Sequence, residues 1–253
     1  MIRCLRTAAS ALGFFVACAA AHAQDLIVYC AGAVKPALSA LAPAWTARGG
    51  PHLSVTYASA GELRARLSAG ERPDIVILPA EGMAALEQDG VILPATRRDL
   101  GSVGIGLAVG AGARLPDISS EDNLKRALLD ARSLTFMDPA RGTSGRHFDE
   151  VVLPKLGIRD AVRAKTVLGE GGMIAEKVAH GEVEMAIQQM TELLPVAGIR
   201  IAGPLPASLQ KLTVYSAAVT KPARSAAASA ELLAFLVSGP ARSAFADKGF
   251  GPP

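Results

Sequence analysis

The chain has 253 residues, half of them hydrophobic and 4% aromatic, with 26 Lys and Arg against 23 Asp and Glu for a net charge of +3. That near-balance, the lack of a basic block and the scarcity of Phe, Tyr and Trp exclude a phosphate-tracking or base-stacking surface, so no nucleic-acid partner is expected. Cys4 and Cys18 lie at the amino end and Cys30 stands alone beyond them, which excludes an intramolecular disulfide or a thiolate metal cluster in a chain processed after residue 23.

The amino end reads as an export signal. Arg3 and Arg6 are followed by an apolar run over 8–20 and by the small-x-small triplet Ala21-His22-Ala23, so cleavage is expected after Ala23, with the mature protein in the periplasm and its charge near about +1. The alternative is a lipoprotein box, Phe15-Val16-Ala17-Cys18, acylated on Cys18. The apolar run is shorter than the roughly 20 residues a spanning helix needs, and the mature chain is expected to be soluble.

From residue 26 the chain alternates strand-like and helix-like segments. Strands are expected over 26–29, 53–57 and 74–78, the last an apolar run suited to a parallel strand buried on both faces. Helices are expected over 34–48, where Leu38, Leu41, Ala42 and Trp45 share one face, and over 60–69 and 80–88. A glycine-interrupted apolar stretch over 101–109 breaks the rhythm. Units resume with a helix over 121–130, a strand over 134–137 and helices over 144–156 and 173–179, ending near 199–202. A second strand-like crossing over 212–219 and helices over 225–236 and 241–248 complete the chain. This pattern predicts an α/β fold of two lobes, each a mostly parallel sheet flanked by helices, joined by two hinge crossings. The expected division is a signal over 1–23, a first lobe over 24–102 and 213–253, and a second over 103–212. A single continuous α/β domain is the alternative.

Ligands of open α/β sheets sit beyond the carboxyl ends of the strands, where this chain places its smallest residues. Cys30-Ala31-Gly32-Ala33, Ala58-Ser59-Ala60-Gly61, Arg141-Gly142-Thr143-Ser144-Gly145 and Gly169-Glu170-Gly171-Gly172 are four such turns. Each leaves backbone N–H groups free at a helix start, which favours anions; tight packing alone would also account for any one of them. At the third turn Arg141, Arg146 and His147 bring positive charge to a helix start, to be balanced either by Asp149 and Glu150 or by a bound carboxylate or phosphate. Ser144 reads equally as helix cap and as ligand donor.

The familiar catalytic patterns are missing. Gly142-Thr143-Ser144-Gly145-Arg146 lacks the second glycine of a nucleophile elbow, His52, His147 and His180 lack the spacing of a zinc site, and no phosphate-binding Gly-x-x-x-x-Gly-Lys loop occurs. No cofactor or metal is expected, and Cys30 reads as a buried structural thiol rather than a partner of His147.

The run from Leu26 to Leu38, Tyr57 to Leu63, Gly70 to Val76, Asp138 to Gly145 and the end from Ser238 to Phe250 resemble periplasmic molybdate-binding proteins of ATP-driven importers. The resemblance implies a type II solute-binding protein whose lobes close over an oxyanion held by hydroxyls and backbone N–H groups, with a membrane permease as partner. Positions that would carry the family's two serine donors hold Ala33 and Ala60, and its tyrosine position holds Gln189; Ser144 and Gly172 match the backbone donors. The expectation is therefore a monomeric, non-enzymatic binder of a small anion. The ligand is a molybdate-like oxyanion or a small organic acid, contacted by Ala31, Gly32, Ala33, Ser59, Ala60, Gly61, Arg141, Thr143, Ser144, Gly145, Gly171, Gly172 and Gln189. A periplasmic sensor or an enzyme on this fold is the alternative.

Overall fold

The computed structural model describes residues 24–253, so the expected signal, its cleavage after Ala23 and the Cys18 alternative lie outside the described residues. Ten strands follow in chain order: β1 (Leu26–Ala31), β2 (Leu53–Ala58), β3 (Ile75–Pro79), β4 (Arg98–Val103), β5 (Ile105–Gly110), β6 (Leu134–Met137), β7 (Thr166–Gly169), β8 (Met185–Gln189), β9 (Ile199–Pro204) and β10 (Thr213–Val219). They form two five-stranded sheets, ordered β2-β1-β3-β10-β4 and β7-β6-β8-β5-β9.

The helices are α1 (Lys35–Ala47), α2 (Ala60–Ser68), α3 (Ala80–Gln88), α4 (Glu121–Asp130), α5 (Thr143–His147), α6 (Leu153–Leu156), α7 (Arg159–Arg163), α8 (Glu176–Ala179), α9 (Met190–Leu193), α10 (Ala226–Leu236) and α11 (Gly239–Asp247). A π turn over Phe148–Val152 joins α5 to α6, so the chain stays helical from Thr143 to Leu156.

Each sheet has a parallel trio, β2-β1-β3 or β7-β6-β8, and one strand antiparallel to both its neighbours, β10 or β5. The cause is the crossing. A strand arriving from the other lobe enters at the end where the parallel strands finish, so it must run against them. Ile105 therefore pairs with Gln189 at the carboxyl end of β8, and Tyr215 pairs with Pro79 at the carboxyl end of β3. Both crossings thus begin at the edge of the cleft.

Each lobe carries its own core. In the first, α1 buries Ala37, Leu38, Leu41 and Trp45 against a β3 that is buried along its whole length. In the second, the Phe136 and Phe148 rings meet edge-on at 5.1 Å. Each fully buried Leu or Phe contributes about 1.5–3 kcal/mol, enough for either sheet to hold its shape while the lobes move.

Two glutamines brace the crossings. Gln210 donates to the Ile105 carbonyl at 2.9 Å and accepts from the Ile105 N–H at 2.8 Å, doing for β5 what a further strand would do. The Gln189 amide satisfies both of its ends when its nitrogen donates to the Val103 and Gly104 carbonyls and its oxygen accepts from the Thr213 hydroxyl.

Several elements differ from the sequence expectation, among them α7 and α9, which had no counterpart in it. The helix expected over 173–179 forms only at Glu176–Ala179, because Gly172 turns the chain with φ near 71° just ahead of it. Strands β7 and β8 appear where none was expected. β7 is a four-residue edge with Val167 and Leu168 exposed, and β8 ends in two buried polar residues, Gln188 and Gln189, that interrupt its apolar run.

Gly145 has a structural requirement of its own. A Cβ there would stand 1.7 Å from the Met137 carbonyl oxygen, so α5 can lie over the end of β6 only with glycine at this position. Gly145→Ala should lower stability by on the order of 2–4 kcal/mol, read as a reduced urea midpoint at unchanged slope; an unchanged midpoint would contradict the packing.

Candidate functional site

The carboxyl ends of β1, β2 and β6 bring the small-residue turns together in one cleft between the lobes. Its cavity of about 40 Å³ is lined by Ala31, Gly32, Ala33, Ala58, Ser59 and Ala60 from the first lobe and by Met137, Gly142, Thr143, Ser144, Gly172, Gln189 and Glu192 from the second, with Tyr215 at the returning crossing. Nine of the expected contact positions therefore share one wall or another of the same cavity: Ala31, Gly32, Ala33, Ser59, Ala60, Thr143, Ser144, Gly172 and Gln189. The other four, Gly61, Arg141, Gly145 and Gly171, are outside the lining.

Their positions explain the difference. The Gly61 N–H donates to the Arg141 carbonyl at 3.1 Å, and the Arg141 guanidinium lies 3.6 Å from Glu62. Gly61 and Glu62 belong to α2 of the first lobe and Arg141 to the turn after β6, so these contacts cross the cleft mouth and tie the lobes together. The exposed ion pair adds little energy by itself. The remaining charges of the third turn are also engaged, Arg146 with the Pro139 carbonyl, His147 with the Leu209 carbonyl, and Asp149 with Arg159 and Arg163.

Inside the cavity the donors are neutral. Ser59 caps α2, its hydroxyl accepting from the Glu62 N–H at 3.2 Å, which leaves the hydroxyl proton available to the cleft. Ser144 is buried in the first turn of α5, and Gly142 just before it has extended backbone. Helix starts at Gly32, Ala60 and Thr143 give this wall a positive local potential without a cationic side chain.

The sequence reading missed Glu192 and Tyr215. Glu192 comes from α9, which follows β8 without a loop, and is 7% exposed. Among the described residues no Lys, Arg or His forms an ion pair with it. Burial pushes its carboxyl up to about 8, against a smaller opposing pull from the Gln188 amide. Gly32 makes room for it, since a Cβ there would stand 3.1 Å from Glu192 Oε1. Tyr215 is buried and its phenol is held well above its ordinary range by burial, with Glu192 and then Cys30 adding to the effect. It is thus a fixed hydrogen donor. Burial also pushes the Cys30 thiol up, which keeps it unreactive.

The chain belongs to the bacterial extracellular solute-binding proteins, whose family model matches residues 26–251. The fold is that of a periplasmic molybdate-binding protein from Azotobacter vinelandii, with a TM-score of 0.77 at 18% identity over 90% of this chain and 99% of that one. A sulfate-binding protein from Mycobacterium tuberculosis H37Rv shares it at a TM-score of 0.74 and 17% identity, over 90% of this chain and 87% of that one. In sequence the chain is 31% identical over 239 residues to an aconitate isomerase from a Pseudomonas species, across 92% of this chain and 90% of the relative.

That relative corrects the expectation of a non-enzymatic protein. Lack of a nucleophile with its base, of zinc ligands and of a phosphate loop excludes only the reactions that need them. Moving a proton within one molecule needs a single acid-base group whose ionisation lies near the working pH. Burial alone can supply such a group, and burial at position 192 is a property of the fold.

Two outcomes follow. A Cβ at Gly61 would lie 3.0 Å from the Arg141 carbonyl oxygen and 3.2 Å from that of Ala140, so Gly61→Ala should bias the lobes toward an open state while α2 keeps its helicity. Small-angle scattering would register this as a larger radius of gyration, and an unchanged radius would contradict the clasp. The second concerns pH. Burial keeps the proton on folded Glu192 up to about 8, well above the ordinary carboxyl range near 4.5, so the unfolded chain binds fewer protons between those values and stability falls as pH rises through them. Glu192→Gln should therefore melt above the parent at about pH 9 and converge with it below about pH 4.5; parallel melting curves across that range would contradict the assignment.

Proposed function

We propose that this chain is an isomerase on the solute-binding scaffold, one that moves a proton within a small unsaturated polycarboxylate. Aconitate is the candidate substrate, because the 31% identical relative carries that activity in its name. The observation that carries the reading is the buried Glu192 carboxyl at the cleft, without a cationic partner and titrating at about 8.

The chemistry follows from that group. About a tenth of Glu192 is ionised at neutral pH, and this fraction takes a proton from the methylene carbon that lies between a carboxylate and the double bond. The carbon–hydrogen electron pair becomes delocalised through the adjacent double bond onto a carboxylate. Returning the proton to the far end of the allyl unit completes the step, with the double bond shifted and no net oxidation. The intermediate carries extra negative charge on carboxylate oxygens, which the N–H groups at Gly32, Ala60, Thr143 and Gly172 and the hydroxyls of Ser59 and Ser144 stabilise. Tyr215 serves as a further neutral donor.

Neutral walls suit this task. A cation beside Glu192 would hold it ionised at all working pH values and remove its capacity to return a proton.

The small size and neutral donors of the closed cavity favour a second reading for the same cleft, capture of a tetrahedral oxyanion for delivery to a membrane permease. One experiment separates them. The protein is mixed with cis- or trans-aconitate and followed by proton NMR, and its melting is measured with molybdate and sulfate. Interconversion by the parent, lost by at least about a hundred-fold in Glu192→Gln and rising with pH toward about 8, supports the isomerase. Stabilisation by molybdate with no interconversion at any pH would overturn it.

A further inference from the structure

Gln188 is a buried side chain that the mechanism above does not use. It is the penultimate residue of β8, four residues before Glu192, is fully buried, and donates from Nε2 to the Gly172 carbonyl at 2.7 Å. That bond fixes the amide. Its oxygen, Oε1, has no hydrogen-bond partner although it is shielded from solvent, and a buried acceptor left without a donor is costly. An unmet buried acceptor on an amide anchored to a cleft-lining turn, four residues before a buried carboxyl that lines the same cavity, points to a partnership between them.

The geometry supports this. Gly172 lines the cleft in a left-handed turn, with φ near 71°, and Glu192 lines it from α9. Gln188 lies behind both, in the strand that leads directly into α9. A neutral carboxyl has an O–H to donate, and an amide oxygen accepts it. An ionised carboxyl accepts instead, and the second N–H of the same amide is there to give. An amide turned toward Glu192 can therefore serve it in both of the states that a proton shuttle must visit, and the bond to Gly172 ties Gln188 to a turn that lines the same cavity.

We propose that Gln188 is the positioning residue for Glu192, holding the carboxyl toward the cleft and assisting its change of charge through an amide anchored on the Gly172 turn. The proposal rests on the reading of Glu192 as the proton carrier, but it is testable without turnover. The opposing pull of the Gln188 amide on the Glu192 carboxyl agrees with it in direction.

The test uses the full chain labelled with carbon-13 at the glutamate side-chain carboxyls, with Glu192→Gln to assign the Glu192 resonance. Gln188→Met, similar in size and without polar atoms, should move the Glu192 titration up by roughly one to two pH units, the size of a lost hydrogen bond to a charged group. Gln188→Asn, which withdraws the amide by one methylene, should move it the same way by less and serves if the Met variant does not fold. In turnover, the pH limb should move up by the same amount, with a rate near neutrality at least about ten-fold lower and recovery at high pH. A purely structural role would lower the rate equally at all pH values and leave the Glu192 titration in place, and that result overturns the proposal. A shifted titration in a protein that does not interconvert aconitate would support the positioning role while removing the isomerase reading.

Discussion

The structure turns on one carboxyl kept in a place where its charge is costly. Glu192 is buried at the junction of the lobes, beside Gly32 of the first and on α9 of the second. A carboxylate moved out of water without a cation or a full set of donors is so unfavourable that it takes up a proton instead. That single constraint accounts for the character of the cleft around it. The first-lobe wall is Ala31, Gly32, Ala33, Ala58, Ser59 and Ala60 rather than larger or charged side chains, and Arg141 reaches away to Glu62 at the mouth. What faces the cleft instead are helix starts and hydroxyls, whose partial charges do not hold Glu192 ionised.

The hinge makes this compatible with motion. Each sheet has its own core, and the braces at the crossings are amides of Gln189 and Gln210 bonded to backbone and to Thr213. Such bonds keep the two crossing strands in register while leaving few apolar contacts to break when the lobes part. Closure is then reported by weak contacts at the mouth, the Gly61 N–H on the Arg141 carbonyl and the Arg141–Glu62 pair. Weak contacts there suit a cleft that must open to admit and release its occupant.

Much of this was legible in the chain. The strands at 26–29, 53–57 and 74–78 read correctly because apolar runs next to small-residue turns leave little alternative, and the turns at Gly32, Ser59, Ser144 and Gly172 were visible because helix starts at strand ends are local features. Arg141 read as a ligand candidate for a sound local reason, a positive charge near a helix start, and its counter-charge at Glu62 lies in a different lobe. Glu192 gave no local signal at all. It follows Met190 and Thr191 in a segment where β8 itself was hidden by Gln188 and Gln189, and only the meeting of α9 with the Gly32 turn makes it buried. Tyr215 was within an expected strand, but the direction of that strand, which puts it at the cleft, depends on the crossing. What sequence could not carry was long-range burial, and burial is what gives this site its acid-base group.

The most direct measurement is the infrared spectrum of the folded protein, taken as the difference between the parent and Glu192→Gln across a pH series. A neutral Glu192 predicts a protonated-carboxyl carbonyl band in the parent at neutral pH, absent from the variant and disappearing as pH rises through about 8. A difference spectrum with only the carboxylate bands of an ionised group at neutral pH would contradict the account, since Glu192 would then have no proton to return.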